Sequence, residues 1–256
     1  MSSADRAAAS KVPAVTLGFW VIKILATTLG ETGGDTFSMS LKLGYLVSSG
    51  IFLAILVVFI AGQIAAKRFV RSLYWATIVA STMAGTTMAD FATRSLGVGY
   101  LGGSLLLALC VVMSLGAWRL TLGRVEADTI SSPKAELFYW LTITLTQTLG
   151  TALGDWTADT ASLGYLGAAL IFAGLLAAIG GLYFWTPFNR VALFWSAFIL
   201  TRPLGAAVGD FLDKPLDHGG LALSRPIATA VLAAIIVLLV VLLPQRSGRH
   251  PASAER

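Results

Sequence analysis

The pattern of apolar and polar residues predicts eight membrane-spanning helices. Four segments that mix apolar residues with Thr, Gly and acidic residues alternate with four that consist mainly of Leu, Ile, Val and Ala. Each approaches the roughly 20 residues that a helix needs to cross a bilayer. The predicted polar segments are 15–34, 70–89, 137–154 and 190–209. The predicted apolar segments are 45–66, 99–120, 164–185 and 222–243.

The first polar segment recurs three more times in the chain. Every copy begins with Trp, has Gly ten residues later and ends in Gly-x-x-x-(Gly/Ala)-Asp, and the four Trp lie 55, 65 and 55 residues apart. A register kept over four copies indicates internal duplication. The copies are Trp20–Asp35, Trp75–Asp90, Trp140–Asp155 and Trp195–Asp210.

One polar and one apolar segment make up each repeat, so all four repeats share one orientation. We therefore expect an all-α integral membrane protein of four parallel two-helix repeats, pseudo-symmetric about the membrane normal. The additional residues RVEADTISSPK separate two halves of two repeats each. The predicted order is a cytoplasmic tail 1–12, repeats 13–69 and 70–123, a cytoplasmic linker 124–134, repeats 135–188 and 189–243, and a cytoplasmic tail 244–256.

Composition and charge support the membrane assignment. Hydrophobic residues make up 56% of the chain, charged residues 12%, and the mean hydropathy is +0.80, whereas soluble domains carry about 25% charged residues. Twelve of the 18 basic residues fall on the side that holds both termini, and this side is expected to be cytoplasmic. The polar N-terminal residues are expected to form a tail rather than a signal peptide. The basic character therefore indicates topology, and no nucleic-acid partner is expected.

Polar residues concentrate in the first helix of each repeat. Because lipid penalises polar groups, we expect the four polar helices at the centre and the four apolar helices at the periphery. Small residues four apart allow two helix backbones to approach closely. The paired glycines are therefore explained either by packing alone or by a role in a central pathway.

The Asp that ends each copy lies about 22 Å from the Trp in a helix. The Trp is expected to anchor the cytoplasmic interface, and the four Asp are expected to form an acidic ring towards the opposite end. Carboxylates with Thr hydroxyls favour hard cations such as Mg²⁺, Mn²⁺ or Ca²⁺. The alternative is a solvated Asp that only ends a helix. The candidate metal ligands are Glu31, Asp35, Asp90, Asp155 and Asp210, with Asp159 as a supporting ion-binding residue.

Several basic and polar residues are candidates for coupling or gating. Lys23 is expected to extend to the cytoplasmic surface. Arg202 lies deeper, before Pro203, and is expected to pair with Glu31 or a ring Asp, either as a switch or as a static ion pair. An unpaired Arg202 in an open cavity would favour anion transport. Arg94 and Lys214 are expected to neutralise part of the ring. At the position of Arg202, the other repeats carry Thr27, Thr82 and Gln147.

These repeats resemble a bacterial family of membrane proteins built from four copies of a repeat of about 55 residues, of unknown function. The resemblance covers about residues 13–243 and implies a multi-pass protein of the bacterial inner membrane. Separately, Glu31–Thr36 resembles the Glu-x-Gly-Asp-(Lys/Arg)-(Ser/Thr) signature of a manganese and calcium exchanger family. Here one extra residue intervenes and no basic residue follows the Asp, and those exchangers have oppositely oriented repeats.

Together these features favour a transporter, specifically an exporter, of a hard divalent cation such as Mn²⁺, exchanging it for protons. The alternatives are a membrane sensor or assembly protein with a structural Asp ring, and a transporter of another small ion, including an anion bound by Arg202. An enzyme is not expected, because no Ser/His pair, His-rich cluster or cofactor signature occurs. The expected partners are the bilayer and a small inorganic ion, without a resident cofactor; the oligomeric state stays open.

Overall fold

A computed structural model describes residues 10–125, 130, 132–160 and 163–248, and these contain eight α-helices. All eight predicted segments are helical, which confirms the all-α class. Parts of both predicted tails and of the linker lie outside the described residues. The helices are α1 Leu17–Asp35, α2 Gly44–Ala65, α3 Arg71–Asp90, α4 Tyr100–Leu122, α5 Pro133–Asp155, α6 Gly164–Trp185, α7 Arg190–Asp213 and α8 Arg225–Leu242.

The helices containing the repeated Asp continue beyond it, so the predicted ends of the polar segments, at 34, 89, 154 and 209, were too early. In three repeats one π-helical turn follows, and α7 stays α-helical to Asp213. Hydroxyl groups explain the extension, because Thr36 and Ser38 donate to carbonyl oxygens one turn earlier, at 2.7 and 2.9 Å. Thr93 and Thr157 make the same bond in the next two repeats. The π-helical turns are Thr36–Ser40, Phe91–Ser95 and Trp156–Thr160.

The four helices that carry the repeated motif, here called the inner helices, form a closed ring. They are α1, α3, α5 and α7, and each packs against the next, with α7 returning to α1. The other four, the outer helices, cover this ring. Each packs along the inner helix of the following repeat, and α8 packs along α1. The predicted arrangement of polar helices inside apolar ones is confirmed, and each outer helix links its own repeat to the next.

Aromatic side chains fill the end of the ring at which the inner helices begin. Trp75, Trp140 and Trp195 are at most 5% exposed, so the prediction that the motif tryptophans anchor a membrane interface was wrong for these three. The reason is that the residue before each Trp is also aromatic, and the two residues together reach across the bundle. This aromatic layer consists of Phe19, Trp20, Tyr74, Trp75, Tyr139, Trp140, Phe194 and Trp195.

Both ends of the described chain meet at the aromatic end of the bundle. The Ala14 amide donates to the Arg246 carbonyl at 2.9 Å, and the Gly248 amide donates to the Val12 carbonyl at 2.9 Å. Lys11 joins this end to α5 through an ion pair with Glu136 at 2.6 Å. We call this end the tail end and the opposite one the acidic end.

Five helices are long and apolar enough to cross a membrane: α2, α4, α6, α7 and α8. In the most apolar 18-residue stretch of each outer helix, only 17–22% of the residues are buried. In the corresponding stretch of α7, 67% are buried. A wide apolar surface around a polar interior is the reverse of a soluble bundle. The length and composition of these five helices therefore favour a membrane protein.

Candidate functional site

The repeated glycines bring the inner helices into close contact. The Gly ten residues after each Trp faces the residue that lies seven places after the Trp on the next inner helix. A Cβ atom at Gly85 would lie 2.8 Å from the Cβ of Gln147, and at the other three glycines the clash would be closer still. This contact repeats around the whole ring. The pairs are Gly30 with Thr82, Gly85 with Gln147, Gly150 with Arg202, and Gly205 with Thr27.

The motif aspartates come together at the acidic end, as the sequence predicted. All four are at most 2% exposed, so they are not solvated helix ends. We call them the aspartate ring: Asp35, Asp90, Asp155 and Asp210.

Two cations divide the aspartate ring into two pairs. Arg94 Nε lies 2.9 Å from Asp90, and Arg94 Nη2 lies 3.2 Å from Asp155. Lys214 Nζ lies 2.9 Å from Asp210 and 3.0 Å from Asp35. Each cation therefore joins the carboxylate of its own helix to that of the next one. This is the neutralisation that the sequence predicted, and it gives the site a twofold rather than a fourfold pattern.

The carboxylates hold Lys214 in its charged form. Burial favours the neutral amine, but the nearby Asp210 and Asp35 carboxylates outweigh it and raise the pKa of Lys214 above its ordinary value. Arg94 is in the same situation, between Asp90 and Asp155.

Glu31 joins one of these pairs one turn deeper. One oxygen of each of Glu31, Asp35 and Asp210 lies within 4.8 Å of the other two, and all three side chains are buried. We call these residues the carboxylate triad. The structure thus places three of the five predicted metal ligands in one group, whereas Asp90 and Asp155 form the neighbouring pair around Arg94.

Arg202 pairs with Glu31, which was one of the two partners expected from the sequence. Arg202 Nη2 lies 3.0 Å from Glu31 Oε2, and the Arg202 side chain is fully buried. The same nitrogen also donates to the hydroxyls of Thr86 and Thr151. Arg202 therefore connects α7 to the other three inner helices and does not face an open cavity, the condition that would have favoured anion transport.

The remaining predicted residues differ in what their side chains contact. Thr27 and Thr82 donate to backbone carbonyls of neighbouring inner helices, at 3.0 and 3.2 Å. They therefore join helices. Asp159 is exposed and accepts a hydrogen bond from Tyr100 at 3.4 Å, so it lies outside the buried group. Gln147 is fully buried, and neither of its amide atoms has a partner among the described residues.

Lys23 departs from its prediction. Its side chain is 0% exposed, so it does not extend to the cytoplasmic surface. Its Nζ lies 4.1 Å from the centroid of the Phe198 ring. Phe198 in turn packs against Phe194 and Trp195 of the aromatic layer, so Lys23 lies deeper in the bundle than this layer.

Sequence reasoning missed two features of the site. Arg225, at the start of α8, lies 2.6 Å from Asp213 and 3.8 Å from Asp35; as the first residue of an apolar helix it gave no signal. Tyr74 and Tyr139 share a hydrogen bond of 2.7 Å inside the aromatic layer. Their position directly before a motif Trp, repeated as Phe19 and Phe194, was a visible signal.

Buried acids outnumber basic partners in this network. Six carboxylates, from the triad, Asp90, Asp155 and Asp213, face four cations, namely Arg94, Arg202, Lys214 and Arg225. With all of these groups ionised, two negative charges are left. Such an excess within a bundle is costly unless a further cation balances it or some of the carboxyl groups bind protons.

The comparisons with known proteins place the chain in a family without assigning an activity. The model of the Repeat of Unknown Function (DUF347) matches four times, at residues 18–69, 73–123, 138–187 and 193–246. Neither the curated proteins nor the solved structures contain a match to the chain. Because the four matches cover most of its length and coincide with the repeated motif, the chain belongs to the DUF347 repeat family.

Proposed function

We propose that this protein is a membrane transporter of a hard divalent cation such as Mn²⁺, and that the carboxylate triad holds the ion. The grouping of three buried carboxylate oxygens within 4.8 Å of one another carries the proposal. Oxygen ligands suit Mn²⁺, Mg²⁺ and Ca²⁺. With all six carboxyl groups ionised, the buried network has two uncompensated negative charges, which one such ion would balance.

The location of the triad supports transport rather than storage. The triad lies between inner helices α1 and α7, inside a ring that outer helices shield. Ionisable residues at such positions in membrane proteins are costly and characteristically serve ion pathways. A cation that enters the triad displaces Lys214 and Arg202 from the carboxylates. The bound ion then replaces these two side chains as the partner of the carboxylates.

In this proposal all eight helices span the bacterial inner membrane, with the tail end in the cytoplasm. The basic residues of the tail end support this orientation. The cation moves outward, in exchange for protons. The basic residues at the tail end within the described chain are Lys11, Lys67, Arg68, Arg71, Arg119, Arg124, Lys134, Arg190 and Arg246.

Transport by purified protein in liposomes tests the proposal. Mn²⁺ entry is followed by a trapped metal-sensitive dye under a proton gradient. We expect uptake by the intact protein and at least a tenfold loss in Glu31→Gln and Asp210→Asn, because each removes one charged ligand. Asp217→Asn, an exposed acid of the acidic end, is the matched control and should transport normally.

Two results would defeat the proposal. One is the absence of Mn²⁺, Mg²⁺ and Ca²⁺ transport by folded, intact protein in either direction. The other is equal transport by the intact protein and the triad variants. If the intact protein transports none of these ions and the triad variants fail to fold, a structural role for the aspartate ring would be favoured.

A further inference from the structure

Three side chains of the inner helices are buried and carry polar atoms without hydrogen-bond partners in the described part of the chain. Lys23, Gln147 and Arg202 are all fully buried. The Lys23 Nζ, both amide atoms of Gln147 and the Arg202 Nε have no hydrogen-bond partner among the described residues. Buried polar groups in this state characteristically bind water or exchange protons.

Lys23 lies one helical turn from Arg202 along the interface between α1 and α7. Its amine lies over Phe198, which precedes Arg202 by four residues on α7. On α1, Thr27 follows Lys23 by four residues. The backbone carbonyl of Thr27 accepts a hydrogen bond from Arg202 Nη1 at 3.4 Å. Four residues of a helix rise by about 6 Å. Two cationic side chains are therefore neighbours inside the bundle.

No carboxylate of the described chain pairs with Lys23. Of the helices packed on α1, α7 presents Arg202 at this level, with its other ionisable residues in its end turns. Helix α3 has Arg71, Tyr74 and Asp90 at its ends, and α8 has only Arg225, in its first turn. A desolvated amine beside another cation releases its proton readily. An arginine guanidinium, by contrast, does not lose its proton in proteins.

We propose that Lys23 is the proton-binding group whose occupancy opposes that of the cation site, with Arg202 as the link. This inference rests on the proposed function. While Glu31 pairs with Arg202, the carboxylate offsets the Arg202 charge, so the repulsion between Arg202 and a proton on Lys23 is smallest in this state. A cation in the triad takes Glu31 for itself and leaves the Arg202 charge uncompensated. Lys23 then loses one proton, which leaves the protein for the solvent, and becomes a neutral amine; it takes up a proton from the solvent again when the cation leaves.

Charge balance supports the same coupling. With all six carboxyl groups ionised, a charged Lys23 leaves the buried network with one uncompensated negative charge, and a neutral Lys23 leaves two. A divalent cation balances only the second state. Because linkage is reciprocal, protonation of Lys23 weakens cation binding by the same factor by which the bound cation weakens proton binding to Lys23. Proton and cation thus alternate, as exchange requires.

Proton release on Mn²⁺ binding tests this inference. Intact protein, Lys23→Met and Lys23→Gln are mixed with Mn²⁺ in weak buffer from about pH 6 to about pH 9, and a pH indicator measures the protons released per bound ion. We expect both neutral variants to release up to about one proton fewer per Mn²⁺ at the pH of largest difference. Lys67→Met removes an exposed lysine at the tail end and should behave like the intact protein.

The outcomes separate the inference from the proposed function. Mn²⁺ binding with identical proton release in the intact protein and both Lys23 variants would overturn the role of Lys23 and leave the triad as the cation site. Failure of the intact protein to bind Mn²⁺ would overturn both. Thermal unfolding establishes that the variants are folded, and because Lys23→Met replaces an unpartnered buried amine with an apolar side chain, this variant should be no less stable than the intact protein.

Discussion

At the scale of single residues, glycine determines how closely the inner helices approach. Gly85 lies against Gln147 Cβ and the backbone of Thr148, at 2.8 and 3.0 Å from the position of an added Cβ. The neighbouring backbone cannot move aside without shifting α5. Small residues in this role replace the hydrophobic driving force that is missing between helices in lipid.

Gly85→Ala should therefore destabilise the protein. Overpacking at such a contact costs about 1–3 kcal/mol, and we expect a clear fall in the midpoint of thermal unfolding in detergent, measured by tryptophan fluorescence. Gly116→Ala is the matched control, since an added Cβ there meets nothing within 4 Å. An equal fall in both variants would contradict the packing role of Gly85.

The ion pairs of Lys214 allow a second prediction at this scale. Lys214→Met leaves Asp35 and Asp210 without that partner, and removal of one member of a buried pair typically costs about 3–5 kcal/mol. A divalent cation can take the vacated place beside the triad. We therefore expect lower stability without metal and a larger stabilisation by Mn²⁺ than in the intact protein, measured as the shift of the unfolding midpoint.

Arg94→Met is the matched variant for this test. It also breaks a bridge between two ring aspartates, Asp90 and Asp155, but on the side of the ring without Glu31. It should lose stability without gaining response to Mn²⁺. A gain of equal size in both variants would show that the Mn²⁺ effect does not depend on the triad.

At the scale of elements, the aromatic layer fastens the inner helices together at the tail end. The hydrogen bond between Tyr74 and Tyr139 joins α3 to α5 within it. We expect Tyr139→Phe to cost about 1–3 kcal/mol, because the Tyr74 hydroxyl is left buried without its partner. The double variant with Tyr74→Phe should recover part of this loss, which a double-mutant cycle of unfolding free energies measures. Strictly additive losses would contradict a direct coupling.

The elements also show which parts of the structure the sequence could predict. Periodic repetition and hydropathy were sufficient for eight helices, their approximate ends and their division into inner and outer sets. The π-helical turns were missed because they depend on hydroxyl-to-carbonyl bonds, such as that of Thr36, which carry no periodic signal. The position of each outer helix on the next repeat was also beyond the sequence, since it depends on long-range packing.

At the site, repetition predicted the grouping of the motif aspartates, and Glu31 was correctly associated with Arg202. The burial of Lys23 was not predicted, because a lysine three residues inside a Trp is usually able to reach water. The aromatic layer prevents this here, and it arises only when four repeats contribute their rings together. Asp155 is buried in the aspartate ring, whereas Asp159 is exposed. This difference was also beyond the sequence, because it depends on the direction in which the end of the helix faces.

At the scale of the whole molecule, the proposed orientation has a direct test. In a Cys110→Ala background, Lys67→Cys and Leu96→Cys place single thiols at exposed positions of the tail end and the acidic end. An impermeant maleimide added to intact cells should label Leu96→Cys at once and Lys67→Cys only after permeabilisation. The reverse pattern would invert the proposed direction of transport.

The central claim is that the carboxylate triad binds a hard divalent cation, and equilibrium binding of Mn²⁺ to purified protein, followed by electron paramagnetic resonance, tests it most directly. The account predicts one tightly bound Mn²⁺ per chain, at least tenfold weaker binding in Glu31→Gln, and unchanged binding in Asp217→Asn. Intact, folded protein that binds no Mn²⁺, or a Glu31→Gln variant that binds it as tightly as the intact protein, would contradict the account.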